Sequence, residues 1–199
     1  MLQWPDKLSV TQTQSKLVIL DRDGVINHDS PAYIKSPQEW NPLPNSIDAI
    51  AKLTQHGFMV AVATNQSAIN RGLINEQTLL AIHNKMLNLI TQHGGDIAQI
   101  VYCPHRPDEN CLCRKPKTGM FEELKTYFQH DLKHVPYIGD SFKDIEVAEK
   151  AGLQPILVLT GNGHKTLADV KKRQTYIPIF RHLGLAVNAI INNNIKGSI

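Results

Sequence analysis

The chain has 199 residues, 42% of them hydrophobic and 20% charged, and a formal net charge of +3. That length and apolar content suit one domain around one core, expected over about residues 17–190, and leave little chain for a second. No run of Lys or Arg makes a nucleic-acid or membrane patch, no stretch approaches the roughly 20 apolar residues of a membrane helix, and the first residues lack the pattern of a secretion signal, so a cytosolic monomer with a small-molecule partner is expected.

Residues 1–16 are polar and unpatterned, and a frayed end is expected there. Leu17-Val18-Ile19-Leu20 then reads as a buried strand and runs straight into Asp21-Arg22-Asp23-Gly24. The segment 45–56 carries Ile47, Ile50, Ala51 and Leu53 at helical spacing and stops at Gly57. A second strand, Val60-Ala61-Val62-Ala63, ends in Thr64-Asn65-Gln66-Ser67. Residues 75–93 form the clearest helix, with an Asn75 cap, an apolar face of Leu79, Ile82, Met86, Leu89 and Ile90, and Gly94-Gly95 behind it. The third strand, Ile100-Val101-Tyr102, opens into a cysteine loop and Arg114-Lys115-Pro116, followed by a helix over 118–130 with Met120, Phe121, Leu124 and Phe128 inward. Tyr137-Ile138-Gly139 makes a fourth strand and runs into Gly139-Asp140-Ser141-Phe142-Lys143-Asp144, a loop leading to a helix; Pro155–Leu159 makes a fifth. The Asn-rich stretch 192–199 is expected to fray. Such alternation predicts a doubly wound parallel α/β sheet with right-handed crossovers, which binds ligands at the carboxyl ends of its strands.

Those strand ends carry the chemistry. Asp21 and Asp23 stand one residue apart beside a glycine, which alone fits a capping turn as well as a catalytic one. Thr64 to Ser67 offer hydroxyl and amide donors for a phosphoryl oxygen, Lys115 a compact positive charge, and Asp140 and Asp144 a second acid pair. All three cysteines, Cys103, Cys111 and Cys113, lie with His105 in one loop at Cys-x-His and Cys-x-Cys spacings. Four such donors can close a tetrahedral structural Zn²⁺ site that has no open position for catalysis and that braces the loop ahead of Arg114 and Lys115. His28, His56, His83 and His164 read as ordinary surface or helix-end residues.

An acid pair, a hydroxyl, a lysine and a second acid pair, delivered in that order by four strand ends, resemble the haloacid dehalogenase superfamily of phosphohydrolases over residues 17 to about 160. The resemblance implies a Rossmann-like fold without a large cap domain and with a zinc-binding loop. It implies catalytic Mg²⁺ on Asp21, the backbone carbonyl of Asp23 and Asp140, with Asp144 supporting. Asp21 would attack phosphorus to form an aspartyl-phosphate, and Asp23 would act first as general acid and then as general base. The charges make sense: a phosphate dianion repels a carboxylate nucleophile until a metal and a lysine neutralise its oxygens.

Within the superfamily the zinc loop is similar to two branches, one acting on the 7-phosphate of a heptose 1,7-bisphosphate and one on histidinol phosphate. Segments 29–37, 64–72 and 114–120 resemble the heptose branch. That implies substrate contacts from Asp29, Tyr33, Thr64, Asn65, Gln66, Ser67, Arg114 and Lys115, and a place in making nucleotide-activated heptose for lipopolysaccharide core. Ala68, where the family usually has Gly, and Ser141, where some relatives have Lys, depart from the pattern. A catalytically silent, zinc-braced scaffold is the reading of another class, and the complete set of Asp21, Asp23, Thr64, Lys115 and Asp140 argues against it.

Overall fold

The structure, a computed structural model, describes residues 16–173 and 176–196. Its six strands are β1 (Leu17–Leu20), β2 (Met59–Asn65), β3 (Gln99–Cys103), β4 (Pro136–Gly139), β5 (Gln154–Val158) and β6 (Ile179–Phe180). Six helices join or follow them: α1 (Ser46–Gln55), α2 (Glu76–Gln92), α3 (Gly119–Phe128), α4 (Phe142–Lys150), α5 (Gly163–Val170) and α6 (Leu183–Ile191). All strand pairs are parallel and the order is β3-β2-β1-β4-β5-β6. This is the doubly wound arrangement, and its switch point lies at β1.

Because successive side chains of a strand face opposite ways, each strand feeds two cores. Val18, Leu20, Val60, Val62, Ile138 and Ile156 pack with Ile50 and Leu53 of α1, Ile82, Met86 and Ile90 of α2, and Val187 and Ile190 of α6. On the other face Leu17, Ile19, Ala61, Ala63 and Val101 meet Met120, Phe121 and Leu124 of α3 and Val147 and Ala148 of α4. Each fully buried Leu or Ile contributes roughly 1.5–3 kcal/mol, which holds the strand ends rigidly in register.

Asn75 caps α2 as expected, its side chain accepting from the Thr78 N–H at 2.8 Å. The long connection 21–45 carries only isolated bridges, and that between β3 and α3 only a 3-10 turn, so neither inserts a cap domain. Of the ends expected to fray, residues 1–15 and 197–199 lie outside the described residues. Lys16 and Asn194 are docked instead: the Lys16 carbonyl accepts from the Met59 N–H, the Asn194 N–H donates to Ala189, and Ile195 packs on the core. Among the described residues no helix is long and apolar enough to cross a membrane.

Candidate active site

β1 ends at the centre of the sheet, and the Asp21 N–H donates to the Ile138 carbonyl of β4 at 2.9 Å, which stitches the first acidic turn to the second. The turn closes through Ile26 N–H to Arg22 carbonyl and Gly24 N–H to Asn27 carbonyl bonds, both 2.8 Å. Gly24 has φ 80° and Gly161 φ 55°, and a Cβ on either would strike Asp140 Oδ2. Only glycine lets both backbones close on that carboxylate.

Asp21 Oδ1 accepts from Lys115 Nζ at 2.8 Å and from the Arg22 N–H at 2.7 Å, so the protein donors among the described residues gather on that oxygen and not on Oδ2. Lys115, 3% exposed, also contacts Asp144 Oδ1 at 2.8 Å, Tyr137 Oη at 2.8 Å and the Ala63 carbonyl at 3.0 Å. Burial would lower the lysine's pKa, but Asp144 and Asp21 outweigh it and push it up to about 12. The ammonium is therefore charged at neutral pH. Tyr137 donates its O–H to Asp144 Oδ1 at 2.8 Å, and Asp144 Oδ2 accepts from the Ser141 N–H and hydroxyl. Both Asp144 oxygens are thus taken by protein donors, so this residue orients Lys115, in keeping with a supporting place beside a metal.

Ligand atoms of Asp21, Asp140 and Asp144 lie within 4.8 Å of one another. Burial, and then the field of Asp144, raises Asp140 to about 7 despite two donors from Asn162 on its Oδ2. Burial also raises Asp21 well above the usual carboxylate range, with Asp144 and Asp140 adding to the effect against Lys115. A cluster of hard oxygens short of positive charge fits a small divalent cation such as Mg²⁺, which needs only a few protein ligands.

Asp23 stands apart from this cluster. Burial would raise it, but the Arg22 guanidinium and donors from Asn27 and Gln66 hold it below the usual range. Gln66 gives its amide N–H to Asp23 Oδ2 and to Thr64 Oγ1, both at 2.8 Å, and its carbonyl accepts from Arg22 Nη2. The Thr64 hydroxyl therefore accepts inside the protein and keeps its proton for a ligand. Asn65 brackets the Lys115 backbone, accepting from its N–H at 3.1 Å and donating to its carbonyl at 3.3 Å. Asn65 and Gln66, expected as substrate contacts, thus commit their side chains to positioning Lys115 and Asp23.

One open cavity of about 470 Å³ brings together Asp21, Asp23, Asp29, Tyr33, Thr64 to Ser67, Arg114, Lys115 and Asp140. Asp144 lies behind it. Arg71, Lys143 and Lys165 also line this cavity, and Arg71 sits over the Tyr33 ring at 5.7 Å. Sequence reasoning assigned no role to these cations, although Arg71 and Lys143 lie inside segments it quoted. It also missed Tyr137, read only as a strand residue, and Asn162. Ala68 is buried among Ile74 and Leu79 at negative φ, so no glycine is needed there.

The cysteine loop assembles as predicted. Cys103, Cys111, Cys113 and His105 Nδ1 lie 3.2–3.6 Å apart along the contacts that join them. A tetrahedron with metal–sulfur bonds near 2.3 Å has edges of about 3.7 Å, whereas a disulfide would bring two sulfurs to about 2.05 Å. The set suits a four-coordinate thiophilic ion. Its link to the cavity is short: the Arg114 N–H donates to Cys111 Sγ at 3.3 Å, and Arg114 Nη1 donates to the His105 carbonyl at 3.0 Å.

Known proteins resemble this chain in sequence and in fold. A family model described as HAD-hydrolase-like matches residues 112–184. A Pseudomonas putida protein named D-glycero-beta-D-manno-heptose-1,7-bisphosphate 7-phosphatase is 54% identical over 152 residues, covering 76% of this chain and 87% of its own. One of the same name from Bordetella bronchiseptica is 53% identical over 153 residues, covering 77% and 86%. Among solved structures, the B. bronchiseptica D,D-heptose 1,7-bisphosphate phosphatase, complexed with magnesium and phosphate, superposes with a TM-score of 0.85 at 46% identity, covering 89% of this chain and 99% of that one.

Proposed function

This chain belongs to the D-glycero-D-manno-heptose-1,7-bisphosphate 7-phosphatases, a family of HAD-like phosphoric monoester hydrolases, and from that premise we propose that it removes the 7-phosphate of the β-configured heptose 1,7-bisphosphate with Mg²⁺ as catalytic cofactor. The observation that carries the reading is the single cavity in which Asp21, Thr64, Lys115 and Asp140 converge under a rim of Arg71, Arg114, Lys143 and Lys165. A substrate with two phosphates has use for both parts, one at Asp21 and one on the rim. The β configuration rests on the names of the relatives at 47–54% identity.

Asp21 Oδ2 attacks phosphorus in line with the leaving sugar oxygen, forming an aspartyl-phosphate. Asp21, Asp140 and the Asp23 carbonyl would hold Mg²⁺, which would supply the positive charge that lets two anions meet. The Thr64 hydroxyl donates to a phosphoryl oxygen. Lys115 fixes the Asp21 carboxylate, and a phosphoryl oxygen reaching its ammonium displaces one of four acceptors now around it. Asp23 protonates the leaving alkoxide and then takes a proton from the hydrolytic water. As it stands here Asp23 is in the ionised form of the second step; the first needs one of its oxygens freed from a donor. The product, a sugar 1-phosphate, is the form that nucleotidyl transfer activates, consistent with a cytoplasmic biosynthetic role.

Phosphate release tests substrate and metal together. We expect the β-bisphosphate to be favoured over the α anomer about tenfold and over histidinol phosphate on the order of 100-fold in kcat/KM. EDTA should stop the reaction and Mg²⁺ restore it. Faster turnover of histidinol phosphate would move the chain to that activity.

We assign a structural Zn²⁺ to Cys103, His105, Cys111 and Cys113, on the tetrahedral spacing of their donor atoms. Cys111→Ser should release the metal and lower Tm by about 5–10 °C, read by elemental analysis and thermal unfolding. A variant with full zinc and unchanged Tm contradicts the assignment.

A further inference from the structure

The sequence reading placed His83 among ordinary histidines. In the structure it lies on α2, 6% exposed, with its ring edge-on to Tyr102, and its Nε2 sits 3.2 Å from Arg22 Nη1. Arg22 is itself 1% exposed. A guanidinium has only donors, so His83 Nε2 must be the acceptor and the imidazole neutral. Burial and the adjacent Arg22 charge agree, taking His83 down to about 3.

The other edge of the same guanidinium meets Asp23. Nε donates to Oδ1 at 3.2 Å, and Nη2 donates to Oδ1 at 2.9 Å and to Oδ2 at 3.0 Å. Asn27 donates to Oδ1 at 2.9 Å and Gln66 to Oδ2 at 2.8 Å. A planar fork fixed at one end transmits its orientation to the other, which a flexible ammonium does not. Arg22 therefore has one anchor from each side: His83 from the helix, Gln66 from the end of β2, and Asp23 as the load between them.

We propose that His83 is a positioning residue, fixing the Arg22 guanidinium so that it holds the Asp23 carboxylate in place for both proton transfers. The inference rests on Asp23 being the general acid and base. It separates proton transfer from phosphoryl transfer, because His83 contacts neither the phosphate pocket nor Asp21.

The test is a comparison of leaving groups. His83→Leu removes the acceptor at similar volume, while His83→Gln can offer a carbonyl oxygen in its place. For the heptose bisphosphate, whose alkoxide must be protonated, kcat/KM of His83→Leu should fall about 10- to 100-fold. For p-nitrophenyl phosphate, whose phenolate leaves without a proton, kcat/KM should stay within about threefold, since this ratio ends at aspartyl-phosphate formation. His83→Gln should recover most of the loss. Equal losses on both esters, no loss on either, or no recovery with Gln overturns the proposal. Should His83→Leu fail to fold, Arg22→Lys carries the same test: it keeps the charge beside Asp23 but not the fork, and equal losses on the two esters again overturn it. Asp23→Asn, measured alongside, separates the premise from the inference. Wild-type kcat/KM on the sugar ester in that variant removes the acid–base reading itself, whereas a loss there with none in His83→Leu removes only the role of His83.

Discussion

Exchanging Asp21 for Asn is expected to abolish phosphate release, by a factor on the order of 10⁴ or more, while the protein stays folded. The amide cannot form the acyl-phosphate, and the neighbouring carboxylates are committed elsewhere: Asp144 to Lys115, Tyr137 and Ser141, Asp23 to Arg22, Asn27 and Gln66, and Asp140 to Asn162 and, in the proposed mechanism, to Mg²⁺. Asn retains the side chain's shape, and Lys115 keeps Asp144, Tyr137 and the Ala63 carbonyl, so Tm should move by no more than a few degrees. Residual activity within tenfold of wild type in a preparation free of deamidation would remove Asp21 as nucleophile. Acid-quenched wild type should gain one phosphoryl mass on the peptide holding Asp21, and the variant none.

Lys115→Met should produce the largest combined loss. Lys115 is the cation that the described residues place on both Asp21 and Asp144, and its removal strands two buried carboxylates. Breaking one partner out of a buried charged cluster costs roughly 3–5 kcal/mol, which for a chain of this size corresponds to a fall in Tm of roughly 10 °C or more in metal-free protein. Activity should fall at least about 1000-fold, since the nucleophile loses its orienting partner and the phosphoryl group its fixed positive charge. Adding Asp144→Asn removes one stranded charge. The double variant should regain a good part of the stability and none of the activity. If it is no more stable than Lys115→Met, the lysine does not act by compensating that charge.

Much of this was legible in the sequence because parallel α/β sheets obey a simple rule. Five apolar runs separated by helical periods place every residue that exits a strand on one edge, so Asp21, Thr64 and Asp140 stood out as candidates behind their strands, with Lys115 beyond the cysteine loop, and the superfamily resemblance supplied their roles. Elements without a pattern were not. β6 is two residues long, and α6, Leu183–Ile191, is apolar almost all round and shows no face. α5 follows Asn162, whose side chain makes no capping bond. The unread part of the site consists of distant pairs. His83 meets Arg22 across 61 positions, Tyr137 meets Lys115 across 22, and Asn162 meets Asp140 across 22. Nothing in the spacing of a single chain encodes such pairs. Burial decides them, since a buried guanidinium, ammonium or carboxylate must find partners wherever the fold provides them.

The seam between β1 and β4 sets when this chemistry can come into being. Asp21 and Asp140 directly follow strands whose paired residues, Ile19 with Tyr137 and Leu20 with Ile138, are separated by more than half the chain. Loop closure over that distance comes late in folding and, during synthesis, only after the ribosome has passed residue 140. A chain in which these strands have not paired therefore carries Asp21 without Asp140, and Lys115 without its anchors Tyr137 and Asp144. On the proposed mechanism, then, hydrolysis of phosphate esters requires the sheet to be zipped through its middle, and a copy in which β1 and β4 are unpaired is expected to be inert toward phosphorylated metabolites.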